Sequence, residues 1–293
     1  MGPLDAVQLA PLMDLTSGRP EIVIALIDGP VALNLPDFIG AKIREIPGKL
    51  RGTCDRAGAL ACLHGTFVAG MLAARRGSPA PAISPGCTLL LRPIFADSSS
   101  GQGDMPSATP EALADAITDS VKAGARLINL SSALLRSSPE GDRMTEEALN
   151  YAASRGVITI AAAGNQGTVG SSSITRHPWV IPVAACNVSG QILSQSNLAR
   201  SIGHRGLCAP GEGVTSLGAD GKPQTLGGTS AAAPFVTGAI ALIWSEFPSA
   251  RANEIKLAIT HSSRPRRPAL APPLLNAWAA YQAMASASAG RVA

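Results

Sequence analysis

A chain of 293 residues that is 46% hydrophobic and 15% charged can bury a sizeable core, and it is neither disordered nor a charge-driven binder. Lys and Arg exceed Asp and Glu by 24 to 20, giving a pI near 9.0 without a dense basic block, which argues against nucleic-acid binding. Aromatic residues make up only 3%, so the core is expected to be Ala, Val, Ile and Leu, as where helices pack closely on a sheet.

Met1 to Val7 shows no basic region followed by an apolar run, so no secretory signal is expected and a cytoplasmic location follows. No apolar run reaches the ~18 uninterrupted residues of a membrane span. Cys54, Cys62, Cys87, Cys186 and Cys208 are odd in number and lack a CxxC pair, which argues against a metal site and a full disulfide framework. Mostly free, buried thiols are expected, with pairing of Cys54 to Cys62 or Cys87 left open.

In chain order, Glu21 to Ile27 is a continuous β-branched run typical of a parallel strand buried on both faces, and it ends in Asp28-Gly29-Pro30. An acid at the carboxyl end of such a strand lies where open α/β sheets gather their sites; it can also simply open a turn. A loop-like segment to Leu63 precedes an apolar helix over 63–74 with His64 at its start, where Gly65 permits close approach of another backbone. Strands are predicted at 88–95, 126–130, 157–162 and 179–184, and helices at 110–122 and 144–154. Pro110 and Glu111 suit the first turn of their helix. Short strands and glycine turns between Arg205 and Leu226 suggest hairpins.

Gly227-Gly228-Thr229-Ser230 then runs into a small-residue apolar helix, with further helices over 249–261 and 274–284. A serine there is either a helix N-cap or a nucleophile held beside unpaired N–H groups at the positive end of a helix dipole. The basic, proline-rich Arg264 to Pro268 reads as a solvated crossing. Alternating strands and helices predict a three-layer α/β architecture, a mostly parallel sheet flanked by helices, in a single domain spanning 1–293 with its core at about 20–285.

Asp28, His64 and Ser230 are the residue types of a nucleophilic triad. Serine needs an imidazole to take its proton, and the imidazole needs a carboxylate to fix its tautomer. The segments Asp28-Gly29, His64-Gly65-Thr66, Ala161-Ala162-Ala163-Gly164-Asn165 and Gly228-Thr229-Ser230-Ala231-Ala232-Ala233-Pro234 together resemble the signature blocks of subtilisin-like serine peptidases. The order Asp, His, Ser is the one known for subtilisin.

The resemblance implies Ser230 as nucleophile, His64 as general base and then acid, and Asp28 as its orienting carboxylate. Asn165 matches the side-chain oxyanion donor. Leu130, Ser131, Ser132 and Ala133 match the edge that receives a peptide as an added strand, and Ala161, Ala162, Ala163 and Gly164 match the P1 wall. Arg176 falls near the floor of that pocket in the family pattern, where it would favour an acidic P1 residue or point to solvent. Phe67 stands where the family usually has a second histidine, Ala231 where methionine commonly follows the nucleophile, and Leu134 where glycine would leave the cleft open.

The family's calcium loop would follow the His64 helix, but 75–81 lacks suitable oxygen ligands, so no metal or other cofactor is expected. About twenty residues before Glu21 are too few for a folded inhibitory propeptide. Residues 87–95 and 107–111 resemble cyanobactin-type maturation proteases, which implies a ribosomally made precursor peptide as substrate. The 36 positions from Asp28 to His64 leave little room for a helical insertion over the cleft, favouring leader cleavage. Transpeptidation with ring closure, or a subtilase fold that only binds peptides, are the alternatives. Neither a nucleic-acid nor a membrane partner is expected, and the oligomeric state is open.

Overall fold

The computed structural model describes residues 1–96, 108–131, 139–262 and 270–290. Seven strands, β1 (Val23–Ile27), β2 (Lys42–Glu45), β3 (Thr88–Leu91), β4 (Leu127–Leu130), β5 (Ile158–Ala162), β6 (Ile181–Cys186) and β7 (Leu207–Pro210), form one parallel sheet in the order β2-β3-β1-β4-β5-β6-β7. A separate antiparallel hairpin pairs β8 (Val214–Leu217) with β9 (Pro223–Leu226). The helices are α1 (Pro3–Ala6), α2 (Ala10–Leu15), α3 (Leu60–Ala73), α4 (Pro110–Lys122), α5 (Pro139–Ser154), α6 (Ser173–Arg176), α7 (Arg200–Arg205), α8 (Thr229–Glu246), α9 (Ala252–His261) and α10 (Ala277–Ala289).

Strand side chains alternate between the two sheet faces. Ile24 and Leu26 of β1 join the cluster built with α2, α3, α8, α9 and α10, whereas Ala25 and Ile27 face α4 and α5. Helices therefore cover both faces, which explains why the central strands read as largely apolar runs. The thickest part of the core is α8, where Phe235, Val236, Ile240, Leu242 and Ile243 are all fully buried, each worth ~1.5–3 kcal/mol of burial. Among the described residues no helix is long and apolar enough to cross a membrane.

The chain enters the sheet at β1 and later places β3 and β4 on opposite sides of it, with α3 on one face and α4 on the other. That reversal opens a crevice at the carboxyl ends of the central strands. Asp28 directly follows β1, Ser131 follows β4, and Asn165 lies three residues past β5, so all three stand at this rim.

Several boundaries differ from the expectations. β2 lies in the stretch read as loop: its Lys-Ile-Arg-Glu sequence carries three charges, which suits an exposed edge paired only with β3 and hides the strand signal. β6 begins at Ile181, after Trp179, whose indole instead donates to the Val157 carbonyl at 2.8 Å. α5 starts at Pro139, five residues before the apolar periodicity, with Glu140 and Asp142 in its first turn. Only the second half of the 205–226 stretch is a hairpin, since β7 joins the main sheet. The basic crossing at 264–268 lies outside the described residues.

Cys54 is bonded to Cys62, one of the two pairings left open, and Cys87, Cys186 and Cys208 are free and buried. Closing a loop this short removes chain entropy worth about 2.5 kcal/mol from the unfolded state. Burial raises the Cys87 thiol to about 11, so it stays protonated and inert.

Candidate active site

The site begins with a contact that only glycine allows. A Cβ on Gly29 would lie 2.0 Å from the Ala61 carbonyl oxygen, and one on Gly65 would lie 2.4 Å from the Pro30 oxygen. The exit of β1 and the first turns of α3 therefore touch backbone to backbone. Thr66 adds a tether, its buried hydroxyl accepting the Ala32 N–H at 2.9 Å. The Cys54–Cys62 disulfide fixes the same end of α3, and Cys54 N–H donates to the Val31 carbonyl just beyond Asp28.

Held this way, His64 Nδ1 lies 2.7 Å from Asp28 Oδ1, which also accepts the Gly29 N–H at 2.7 Å. Asp28 is fully buried, and the His64 side chain is 14% exposed. Asp28 is an acceptor, so Nδ1 carries the hydrogen and Nε2 keeps its lone pair. Burial disfavours the imidazolium, but the charge of Asp28 and its hydrogen bond outweigh that and raise the His64 pKa above 6.5. The other carboxylate oxygen, Oδ2, is buried with no hydrogen-bond partner among the described residues.

Ser230 is the second residue of α8 and is partly exposed. The helix is not capped by a side chain: Gly228 holds the N-cap position at φ 98°, a conformation that disfavours any other residue. The cap reading of Ser230 is thereby replaced. Its hydroxyl makes no hydrogen bond among the described residues, and neither does its backbone N–H.

Asn165 is fixed by the preceding residue of α8. Its Oδ1 accepts the Thr229 N–H at 2.8 Å and the Thr229 hydroxyl at 3.1 Å. Two donors on one atom settle the orientation of the amide and leave Nδ2 as an unused donor beside Gly228. Thr229 completes the join by accepting the Gly164 N–H at 3.1 Å.

Asn197 does the same work from the other side and was missed in the sequence. Its Oδ1 accepts the N–H groups of Gln166 at 3.0 Å and Thr168 at 3.1 Å, plus the Thr168 hydroxyl at 3.1 Å. Its Nδ2 donates to Gln166 Oε1 at 2.6 Å, and its own N–H donates to the Gly164 carbonyl. Gly164, at φ 105°, has no room for a Cβ against this side chain. A lone asparagine in a polar stretch carries no sequence signal of such a role.

The substrate-side residues are placed unevenly. Leu130 and Ala161 are buried and paired on both sides within the sheet, so an incoming strand could only meet the chain beyond them. Ser131 is buried and hydrogen-bonded to Asn129, which accepts the Thr237 hydroxyl of α8 at 2.7 Å. Ser132 and Ala133 lie outside the described residues. Ala162, Ala163 and Gly164 lead from β5 to Asn165. Arg176 is exposed at the end of α6, which packs on α5 and α7, and its carbonyl accepts an Arg205 N–H at 2.8 Å. No group of His, Cys, Asp and Glu able to hold a metal ion occurs among the described residues.

In a Ser230→Ala background, NMR titration of the His64 ring should give a pKa above 6.5, and Asp28→Asn should bring it below 6.5, because burial is then unopposed. An unchanged value in Asp28→Asn would refute the charge coupling. Asn197→Ala should lower kcat by ~10–100-fold with a smaller change in KM, by displacing Asn165. In an Asn165→Ala background the same change should have little further effect, whereas additive losses would assign Asn197 a separate role.

The profile of the Subtilase family, peptidase S8, matches residues 20–281. A thermostable alkaline protease from Halalkalibacterium halodurans is 31% identical over 201 residues, covering 68% of this chain and 52% of the relative. The chain thus spans about half the length of that curated relative. Among solved structures, the protease domain of PatA superposes with TM-score 0.84 at 29% identity, covering 92% of this chain and 97% of that one. The prenylagaramide maturation protease PagA gives TM-score 0.82 at 30% identity, covering 94% and 98%. With the matched span running from just before β1 into α10, the chain belongs to the subtilase family.

Proposed function

We propose that this chain is a serine endopeptidase in which Asp28, His64 and Ser230 act as triad and Asn165 as oxyanion donor. The observation that carries the reading is the buried Asp28–His64 pair at 2.7 Å, which leaves Nε2 free as a base at the rim where Ser230 stands. His64 Nε2 takes the Ser230 proton as Oγ attacks the scissile carbonyl. The oxygen of the tetrahedral intermediate meets the Ser230 N–H and Asn165 Nδ2, both already oriented and unbonded. His64 returns the proton to the leaving amine, and water then attacks the acyl-enzyme by the reverse route. Asp28 stabilises the imidazolium formed at each stage.

The substrate we propose is a ribosomally made precursor peptide from which a leader is removed. Support comes from the likeness to PagA, which is described as a maturation protease, over nearly the whole of both chains. The unit responsible is taken to be one peptidase domain over about residues 20–285. A cytoplasmic location belongs to the same reading. It sits less easily with the Cys54–Cys62 disulfide, since reducing compartments disfavour such bonds.

Incubation with a peptide library followed by mass spectrometry tests the reaction. Linear fragments that together gain one water, absent with Ser230→Ala, are expected; core peptides that lose water would instead identify a transpeptidase, and no turnover by folded protein would leave only binding. The same library tests Arg176. A preference for acidic P1 residues that disappears in Arg176→Ala supports its role, and equal cleavage after Glu, Leu and Lys removes it.

A further inference from the structure

A second charged feature lies at the opposite end of α8 from Ser230, fourteen helical residues or about 21 Å away. There the amino-terminal ends of β4 and β5 meet the loop between α8 and α9 around a pocket of about 390 Å³. Its lining includes Arg126 just before β4, Arg155 just after α5 and Arg251 just before α9, together with Trp244, and contains no acidic side chain. Three segments distant in sequence thus each contribute an arginine to the lining.

None of these guanidinium groups has a carboxylate within salt-bridge distance or donates a side-chain hydrogen bond among the described residues. Arg126 is half-buried with its guanidinium carbon 4.6 Å from the centre of the Trp244 ring, and Arg155 lies 5.5 Å from that of Tyr151. Rings can hold such groups in place but accept none of their N–H bonds. The Glu254 carboxylate accepts the Arg251 backbone N–H at 2.8 Å.

The framework beneath is rigid. Arg126 N–H donates to the Val23 carbonyl at 2.8 Å, its carbonyl accepts the Ile158 N–H, and the Trp244 indole donates to the Ala250 carbonyl at 3.0 Å. Ala252, the first residue of α9, also lines the pocket, and the helix start there is capped by Glu254, which accepts the Arg251 N–H. The carbonyl ends of α5 and α8 oppose part of the arginines' positive field, yet none of the three arginine side chains is bonded to them.

We propose that this pocket binds a compact, multiply charged oxyanion, a phosphate group or closely spaced carboxylates, through forked hydrogen bonds from Arg126, Arg155 and Arg251. Such a site would hold a charged part of a ligand remote from bond cleavage, and it does not depend on the peptidase reading. It is tested by calorimetric titration of the full chain with sodium pyrophosphate at low ionic strength. One saturable site is expected, weakened at least tenfold in Arg155→Gln/Arg251→Gln and changed less than twofold in Arg44→Gln/Arg200→Gln. The first pair leaves the Arg126–Trp244 contact intact, and an unchanged thermal midpoint confirms that it folds. Displacement of pyrophosphate by tetraglutamate would identify peptide carboxylates as an acceptable source, and failure to displace it would restrict the site to free oxyanions. Absence of saturable binding, or equal weakening in both pairs, would overturn the proposal.

Discussion

The backbone contact between Gly29 and α3 is the constraint on which the site depends. A Cβ on either Gly29 or Gly65 would drive the helix away from the end of β1, and His64 would lose its 2.7 Å contact with Asp28. The charge of Asp28 would then be buried with no counterpart, which costs several kcal/mol. Glycine at both positions is therefore a requirement of the electrostatics as much as of the packing. The Thr66 hydroxyl and the Cys54–Cys62 bond restrain the same join from either side.

The second half of the site is built by a different device. Thr229 occupies both lone pairs of Asn165 Oδ1, so the amide nitrogen can face only outward. Asn197 anchors the loop that carries it, and Gly228 brings the start of α8 against it. In the proposed mechanism each donor is oriented before a substrate arrives, which is what electrostatic stabilisation of a developing charge demands. The long apolar body of α8 supplies the rigidity, because its burial fixes the helix whose first turn bears Ser230.

Much of this was legible in the sequence because the chemistry leaves local marks. Mostly apolar runs, β-branched in β1 and leucine-rich in β3, mark the central strands, and the glycines near Asp28, His64 and Ser230 signal close approach. The features without a local mark depend on partners distant in the chain. β2 is charged and exposed, so it carries no apolar pattern, and its pairing with β3 alone makes it a strand. Asn197 acts only through loop atoms about thirty positions away, and the three arginines around Trp244 meet only once the sheet has formed. The pairing of Cys54 with Cys62 likewise required the geometry of the loop before α3 to choose between two partners.

In the proposed mechanism Ser230 is a nucleophile activated by the Asp28–His64 pair. Intact-protein mass spectrometry after treatment with a fluorophosphonate probe tests it most directly. One probe per folded chain is expected, located on Ser230, lost in Ser230→Ala and strongly slowed in His64→Ala. A folded protein that takes up no probe, or a Ser230→Ala variant that is labelled as fast as the parent, would exclude Ser230 as that nucleophile.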